Sequence, residues 1–231
     1  VNNTILMPGE TFSMNDTIKE RTVENGYTVG TIIGPGGVFE DALGGGVSAA
    51  TTAVWTAAFF AGMERTDTRA HSLYISRYQP GLEATVAWGI FDMKFTNKLS
   101  RAVLIKTKMT NSSMKVTFWG TKEFDSIEAE FGERVNVNKS KKTVKRNKKC
   151  VAQSGIEGFT ITVNRVFIKD GQEVKREPMT TIYRAGPNIV CKKKKKEPKP
   201  EVIDPSGVNS DDAVPTPADA ESIFAANRPE L

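Results

Sequence analysis

The sequence predicts an α+β fold: a mainly antiparallel sheet packed on a buried Ala-rich helix, followed by a small disulfide-closed β module and a disordered tail. Three observations carry this. Strand-like runs outnumber helical ones, the one long helical pattern is apolar nearly all round, and the only two cysteines bracket a short β-rich segment.

The first domain is expected over residues 1–131. Pro8-Gly9-Glu10 and Asn15-Asp16 mark turns, and the β-branched run Tyr27 to Ile33 reads as a strand ended by Gly34-Pro35-Gly36-Gly37. Gly44-Gly45-Gly46 then feeds an alanine-rich run that stops at Gly62, with Ser48 at the helix N-terminus. Val47, Ala50, Val54, Ala57 and Ala61 recur at helical spacing, and no charge occurs between Asp41 and Glu64. A helix apolar on all sides is buried, so this one is the expected spine of the domain. Strands are predicted at Leu73 to Tyr78, Ala84 to Trp88, Val103 to Lys108 and Met114 to Trp119, the last two joined by a turn at Thr110-Asn111-Ser112-Ser113.

Residues 132–149 read as a Lys-rich linker. Residues 150–191 read as the small module: Phe159 to Ile168 is a strand, Lys169-Asp170-Gly171-Gln172 a hairpin turn, and Glu173 to Tyr183 the return strand. So few residues make a weak core unaided, and Cys150 and Cys191 stand where a disulfide would close the unit. Zinc is the competing use, but two cysteines and one distant histidine are too few ligands for a closed site. The disulfide implies an oxidising compartment outside the cytoplasm. Residues 192–231, rich in Lys, Pro and Asp, read as a disordered tail with a short helix at Ala218 to Asn227.

The charge is distributed unevenly. The 231-residue chain has a net charge of +5, yet Lys139 to Lys149 alone holds seven basic residues and Lys192 to Lys199 six against one glutamate. The folded parts are therefore acidic and the connectors basic. Such runs are solvated linkers or contacts for anionic polymers or a membrane surface. Nucleic acid is disfavoured, because no aromatic residue is interleaved with the lysines to stack on bases. No run of about twenty apolar residues is present to span a bilayer. The chain starts at Val1, inside apparently folded sequence, and is expected to be a fragment.

His71 is the sole histidine, so any nucleophile–histidine mechanism must use it. Ser48, at a helix N-terminus after three glycines, is the candidate nucleophile, with backbone N–H groups there to hold an oxyanion. Glu64, Asp67, Glu83 and Asp92 are the candidate acids to orient His71. The competing reading is structural: serine is a good N-cap, and a lone histidine can be a hydrogen-bonded core residue. Gly44-Gly45-Gly46 before a helix could cradle a phosphate, with Gly45 and Gly46 as the candidate substrate contacts, but no Walker lysine or Gly-x-Gly-x-x-Gly spacing accompanies them. Arg77 with Tyr74 and Tyr78 could form a ligand-facing strand edge, although aromatics at that spacing also suit a core. No cofactor and no metal is expected.

The order Pro8-Gly9-Glu10-x-Phe12-Ser13-x-Asn15, Arg21-Thr22, Gly26-Tyr27, Gly44-Gly45-Gly46-Val47, Thr51-Thr52, Ala61-Gly62, Glu64-Arg65, His71-Ser72, Ala84-Thr85-Val86, Asp92, Phe95 and Asn97 resembles the VanW family, named for an accessory gene of vancomycin-resistance clusters. The resemblance covers roughly residues 1–125, and the Cys150 to Cys191 unit looks more loosely like the small extracellular G-five modules. It implies an extracytoplasmic cell-wall protein, anchored to the membrane through a missing N-terminal segment, that engages peptidoglycan stem peptides. Some VanW domains are described as L,D-transpeptidases that use the cysteine of a Gly-Gly-Gly-Val-Cys-Gln motif and a downstream histidine. The matching positions are Ser48 and His71, and this chain departs from the motif at Ser48-Ala49. A helix N-terminus and a histidine can yield a thiolate near neutrality, whereas a serine needs a general base during attack. Serine-dependent acyl transfer, non-catalytic binding and a scaffold without a site all stay open. Arg65 and Arg77 are the expected partners for substrate carboxylates.

Overall fold

The computed structural model describes residues 1–146 and 150–192. The tail reading and its short helix fall almost wholly outside them. The first strands are β1 (Thr4–Leu6) and β2 (Thr11–Ser13), then the short helix α1 (Met14–Ile18) and the strands β3 (Val29–Ile33) and β4 (Phe39–Leu43). The long helix α2 (Val47–Phe60) follows, then β5 (Glu64–Asp67), β6 (Lys94–Thr96), β7 (Val103–Met109) and β8 (Met114–Trp119). The remaining strands are β9 (Ser126–Phe131), β10 (Val135–Asn138), β11 (Lys142–Lys145), β12 (Gly158–Lys169), β13 (Gln172–Tyr183) and β14 (Asn188–Cys191).

Helix α2 forms where glycine frames an alanine-rich run. Gly46 adopts a left-handed conformation (φ 88°) that turns the chain into the helix. At the other end Gly62 (φ 82°) makes a Schellman motif: Gly62 N–H donates to the Phe59 carbonyl at 3.3 Å and Met63 N–H to that of Ala58 at 3.1 Å. Thr51, Val54, Trp55, Ala58 and Phe59 are buried. Val54, Trp55, Ala58 and Phe59 share one core with Leu6, Val103 and Ile105 of the β1-β7-β8 sheet and with Val163 and Met179 of β12 and β13.

Four sheets are antiparallel: β1-β7-β8, β2-β6-β5, the β3-β4 hairpin, and one in which β12 pairs with β9, β10 and β13. The pair β11-β14 is parallel. With two helices among these strands the fold is mainly β rather than α+β, a correction to the expected class. The disulfide joins Cys150 to Cys191.

Three further expectations need correction. Residues 132–149, read as a linker, contain β10 and β11, which pair with β12 and β14 across the boundary. The lysines of β11 point to solvent, so low apolar content did not preclude a strand. β9, placed in the first domain, pairs with β12, and the shared core joins the two regions into one unit. Leu73 to Tyr78 and Ala84 to Trp88 are irregular loop, and at Ala84 a helix side chain takes the place of a strand partner. Thr52 Oγ1 donates to the Ala84 carbonyl at 3.0 Å and accepts from Ala84 N–H at 3.2 Å. No helix among the described residues is long and apolar enough to cross a membrane.

Candidate functional site

A cavity of ≈ 1050 Å³ opens between the N-terminal end of α2, the β3-β4 hairpin, the loop after β5 and the end of β13. Ser48, His71, Arg65, Arg77, Tyr78 and Gly46 all line it. Gly45 does not. It packs against Gly30, so closely that a Cβ on Gly45 would lie 1.9 Å from the Gly30 carbonyl carbon. Its role is to let the β3-β4 hairpin sit against the lead-in to the helix.

Ser48 is not the N-cap; Gly46 is, and Ser48 is the second residue of the helix. Its hydroxyl shares a 2.9 Å hydrogen bond with the Thr85 hydroxyl. Val47 N–H and Ala49 N–H donate to the Gly44 and Gly46 carbonyls at 3.2 and 3.0 Å, so two first-turn amides are engaged within the turn. Among the described residues no hydrogen bond joins Ser48 to His71.

His71 is buried, and its ring stacks on Tyr78 at 5.4 Å between centroids with 6° between planes. Nδ1 is sealed from solvent without a hydrogen-bond partner and faces Glu83 Oε1 at 3.9 Å. Glu83 is itself buried and accepts from the Tyr183 hydroxyl at 2.8 and 2.9 Å, while that hydroxyl accepts from Gly81 N–H at 2.7 Å. Burial first, and then the Glu83 carboxylate, raise the Tyr183 phenol far above its ordinary range. Burial also raises Tyr78, with the Arg77 guanidinium, 5.9 Å from its ring, opposing.

Of the four candidate acids, only Glu83 reaches His71. Asp92 is taken up by Ser13 Oγ at 2.6 Å and by the N–H groups of Asn15 and Met93 at 2.9 and 2.7 Å. Glu64 and Asp67 are exposed on β5.

The charge of the lining is one-sided. Arg21, Arg65, Arg69, Arg77 and Arg184 face a single carboxylate, Glu83. Among the described residues none of these five pairs with a carboxylate; Arg21 donates to Asn15 Oδ1 at 2.7 Å, and Arg69 lies 4.6 Å from the Phe91 ring centroid. Cations without carboxylate partners around a cavity suit an anionic ligand.

Sequence reasoning missed Arg21, Arg69, Arg184 and Tyr183. Arg69 is two residues from His71, so proximity could have flagged it. Tyr183 and Arg184 lie about a hundred positions further on; Arg184 N–H ties that strand end to the Ser72 carbonyl at 2.8 Å. No local signal announces such a contact. No group of three or more His, Cys, Asp or Glu able to hold a metal ion occurs among the described residues.

The family model described as "VanW like protein" matches residues 1–119, just over half of the chain. The chain is also 31% identical over 126 residues to YoaR of Bacillus subtilis (strain 168), a protein described as uncharacterized. That similarity takes in 54% of this chain and 41% of YoaR, so the chain spans less than half the length of the curated relative it matches. No solved structure matches it. The family match includes Ser48, His71 and Glu83 and stops well short of Tyr183 and Arg184.

Proposed function

Because the chain belongs to the VanW family, we propose that it is an extracytoplasmic cell-wall protein that binds peptidoglycan stem peptides in the arginine-lined cavity. One observation carries this reading: five arginines and one carboxylate line a cavity of peptide size. Stem peptides end in carboxylates, which a guanidinium grips through paired N–H donors. The Cys150–Cys191 disulfide is consistent with an oxidising compartment. Titration calorimetry with tetrapeptide-containing muropeptides tests it. Removing Arg77 or Arg184 loses charge-assisted hydrogen bonds of about 1.5–3 kcal/mol, hence at least about tenfold in Kd. Unchanged affinity in the Arg69→Ala/Arg77→Ala/Arg184→Ala variant would refute the binding mode.

A second reading rests on a different observation, the sealed contact of His71 with Glu83 in the cavity that also holds Ser48. There His71 takes the Ser48 proton as Oγ attacks a stem-peptide carbonyl and returns it to the departing amine as the peptide C–N bond breaks; an acceptor amine or water then releases the acyl group, and Glu83 orients the ring. Ser48 must first leave Thr85. Product mass spectrometry separates the two readings: cross-linked or hydrolysed muropeptides from the native chain, absent with Ser48→Ala, establish acyl transfer. Activity confined to Ser48→Cys means that the native protein binds without turnover.

A further inference from the structure

The β1-β7-β8 sheet has one face against α2 and the core and one bare face. Register determines what the bare face displays. Ile5 pairs with Leu104 and Leu104 with Trp119, giving an apolar row across all three strands. The next outward positions bring Lys106, and then the directly opposed pair Lys108 and Lys115. A shallow groove of ≈ 520 Å³ runs along this face, and no carboxylate lines it. Ile5 is 61% exposed and Trp119 63%, and with Leu104 between them on the central strand they make the exposed apolar side chains contiguous rather than scattered. Lys106 Nζ donates to Asn3 Oδ1 at 2.6 Å, whereas Lys108 directly opposite Lys115 adds like-charge repulsion across the ladder, with no carboxylate among the described residues to offset it.

We propose that this face is a docking surface for an anionic phospholipid membrane, independent of the arginine-lined cavity. The charge pattern asks for a polyanion, and the apolar row selects a membrane among polyanions. A soluble polyphosphate chain offers Ile5 and Leu104 nothing, whereas a bilayer interface accepts both and suits an indole at headgroup depth. The lysines adjoin that row and can reach phosphate while their stems follow the surface. The cavity and this face use separate residues, so a membrane-docked protein keeps its binding site.

The test is flotation of the 231-residue chain with vesicles of equal parts phosphatidylglycerol and phosphatidylcholine, against phosphatidylcholine alone. At about fivefold in partitioning per lysine, Lys106→Gln/Lys108→Gln/Lys115→Gln lowers binding to anionic vesicles about a hundredfold. Trp119→Ser lowers it about tenfold, and the matching triple Lys→Arg variant retains it. These residues are exposed or half-exposed at the sheet face, and unchanged melting midpoints verify that the fold is intact. Absence of binding to anionic vesicles overturns the proposal. So does loss only on neutralising Lys192 to Lys196 with the triple-Gln variant unaffected, which would assign binding to the basic run. Indifference to Trp119→Ser together with equal competition by soluble polyglycerol phosphate also overturns it, in favour of a soluble polyanion.

Discussion

Replacing Arg165 with methionine tests whether α2 and the β12-β13 region fold as one unit. Arg165 projects from β12 and is 1% exposed. One terminal nitrogen donates to the Met63 carbonyl at 2.8 Å and to Glu177 Oε2 at 3.4 Å; the other donates to the Phe59 carbonyl and, at 3.4 Å, to that of Ala58. The guanidinium carbon lies 4.8 Å and 4.7 Å from the ring centroids of Phe59 and Phe167. Burial pushes the group down to about 10, with Glu177 opposing, so it remains cationic at neutral pH. It thus sets a positive charge on the negative end of the α2 dipole and supplements the Schellman cap. Methionine fills similar volume but takes the guanidinium from the Met63 carbonyl, leaves the Phe59 and Ala58 carbonyls with only the Schellman amides, and leaves Glu177 with Lys175. Removing one partner from a buried charged network costs about 3–5 kcal/mol. At about 2–4 °C per kcal/mol for a chain of this size, the midpoint falls by roughly 10 °C. Arg165→Lys, with the charge but not the fork, should lose about half as much. Urea unfolding followed by circular dichroism measures both, and an unchanged m-value is expected. A loss below about 1 kcal/mol for Arg165→Met, or two separate transitions in the parent protein, would refute the single shared core.

Tyr183 yields a pH prediction. Its folded pKa is raised, so the stability linked to its neutral phenol is complete below the unfolded value of about 10 and is lost as pH rises through the higher folded value. In an alkaline titration its absorbance change should therefore coincide with unfolding and vanish in Tyr183→Phe; ionisation near pH 10 in the folded protein contradicts this. Reducing Cys150–Cys191 opens a loop with a sequence separation of 41, which should lower stability by about 4 kcal/mol as read from urea midpoints with and without reductant. Gly45→Ala drives a Cβ into the Gly30 backbone and should cost at least about 2 kcal/mol while weakening muropeptide binding, because the cavity wall must shift. Retained stability with weakened binding would instead put Gly45 in direct contact with the ligand.

What the sequence disclosed follows from how local each signal is. Helix α2 was legible because glycines and alanines within one stretch define it. The β7-β8 and β12-β13 hairpins were legible because each contains its own turn. β10, β11 and β14 were not: they are four-residue strands whose partners lie tens of positions away, and β11 is lysine at both ends. The runs Leu73 to Tyr78 and Ala84 to Trp88 have strand-like composition, yet the loop that holds them lines a cavity and bonds to threonines on α2, contacts that composition cannot express. Ser48 and His71 were found by residue type and do line one cavity. That Ser48 bonds to Thr85 rather than to His71, and that Glu83 is the acid facing the ring, required the loop's path.

The disulfide also fixes how the chain would carry a pull. Tension applied beyond Lys192 reaches Cys191, crosses the sulfur bridge to Cys150, and continues toward β11, bypassing residues 151–190. The β12-β13 hairpin, with Tyr183 beneath His71's acid and Arg184 at the cavity wall, thus lies in a closed loop off the load path. A pull along the chain therefore stretches the segments flanking this loop while part of the cavity wall stays mechanically shielded.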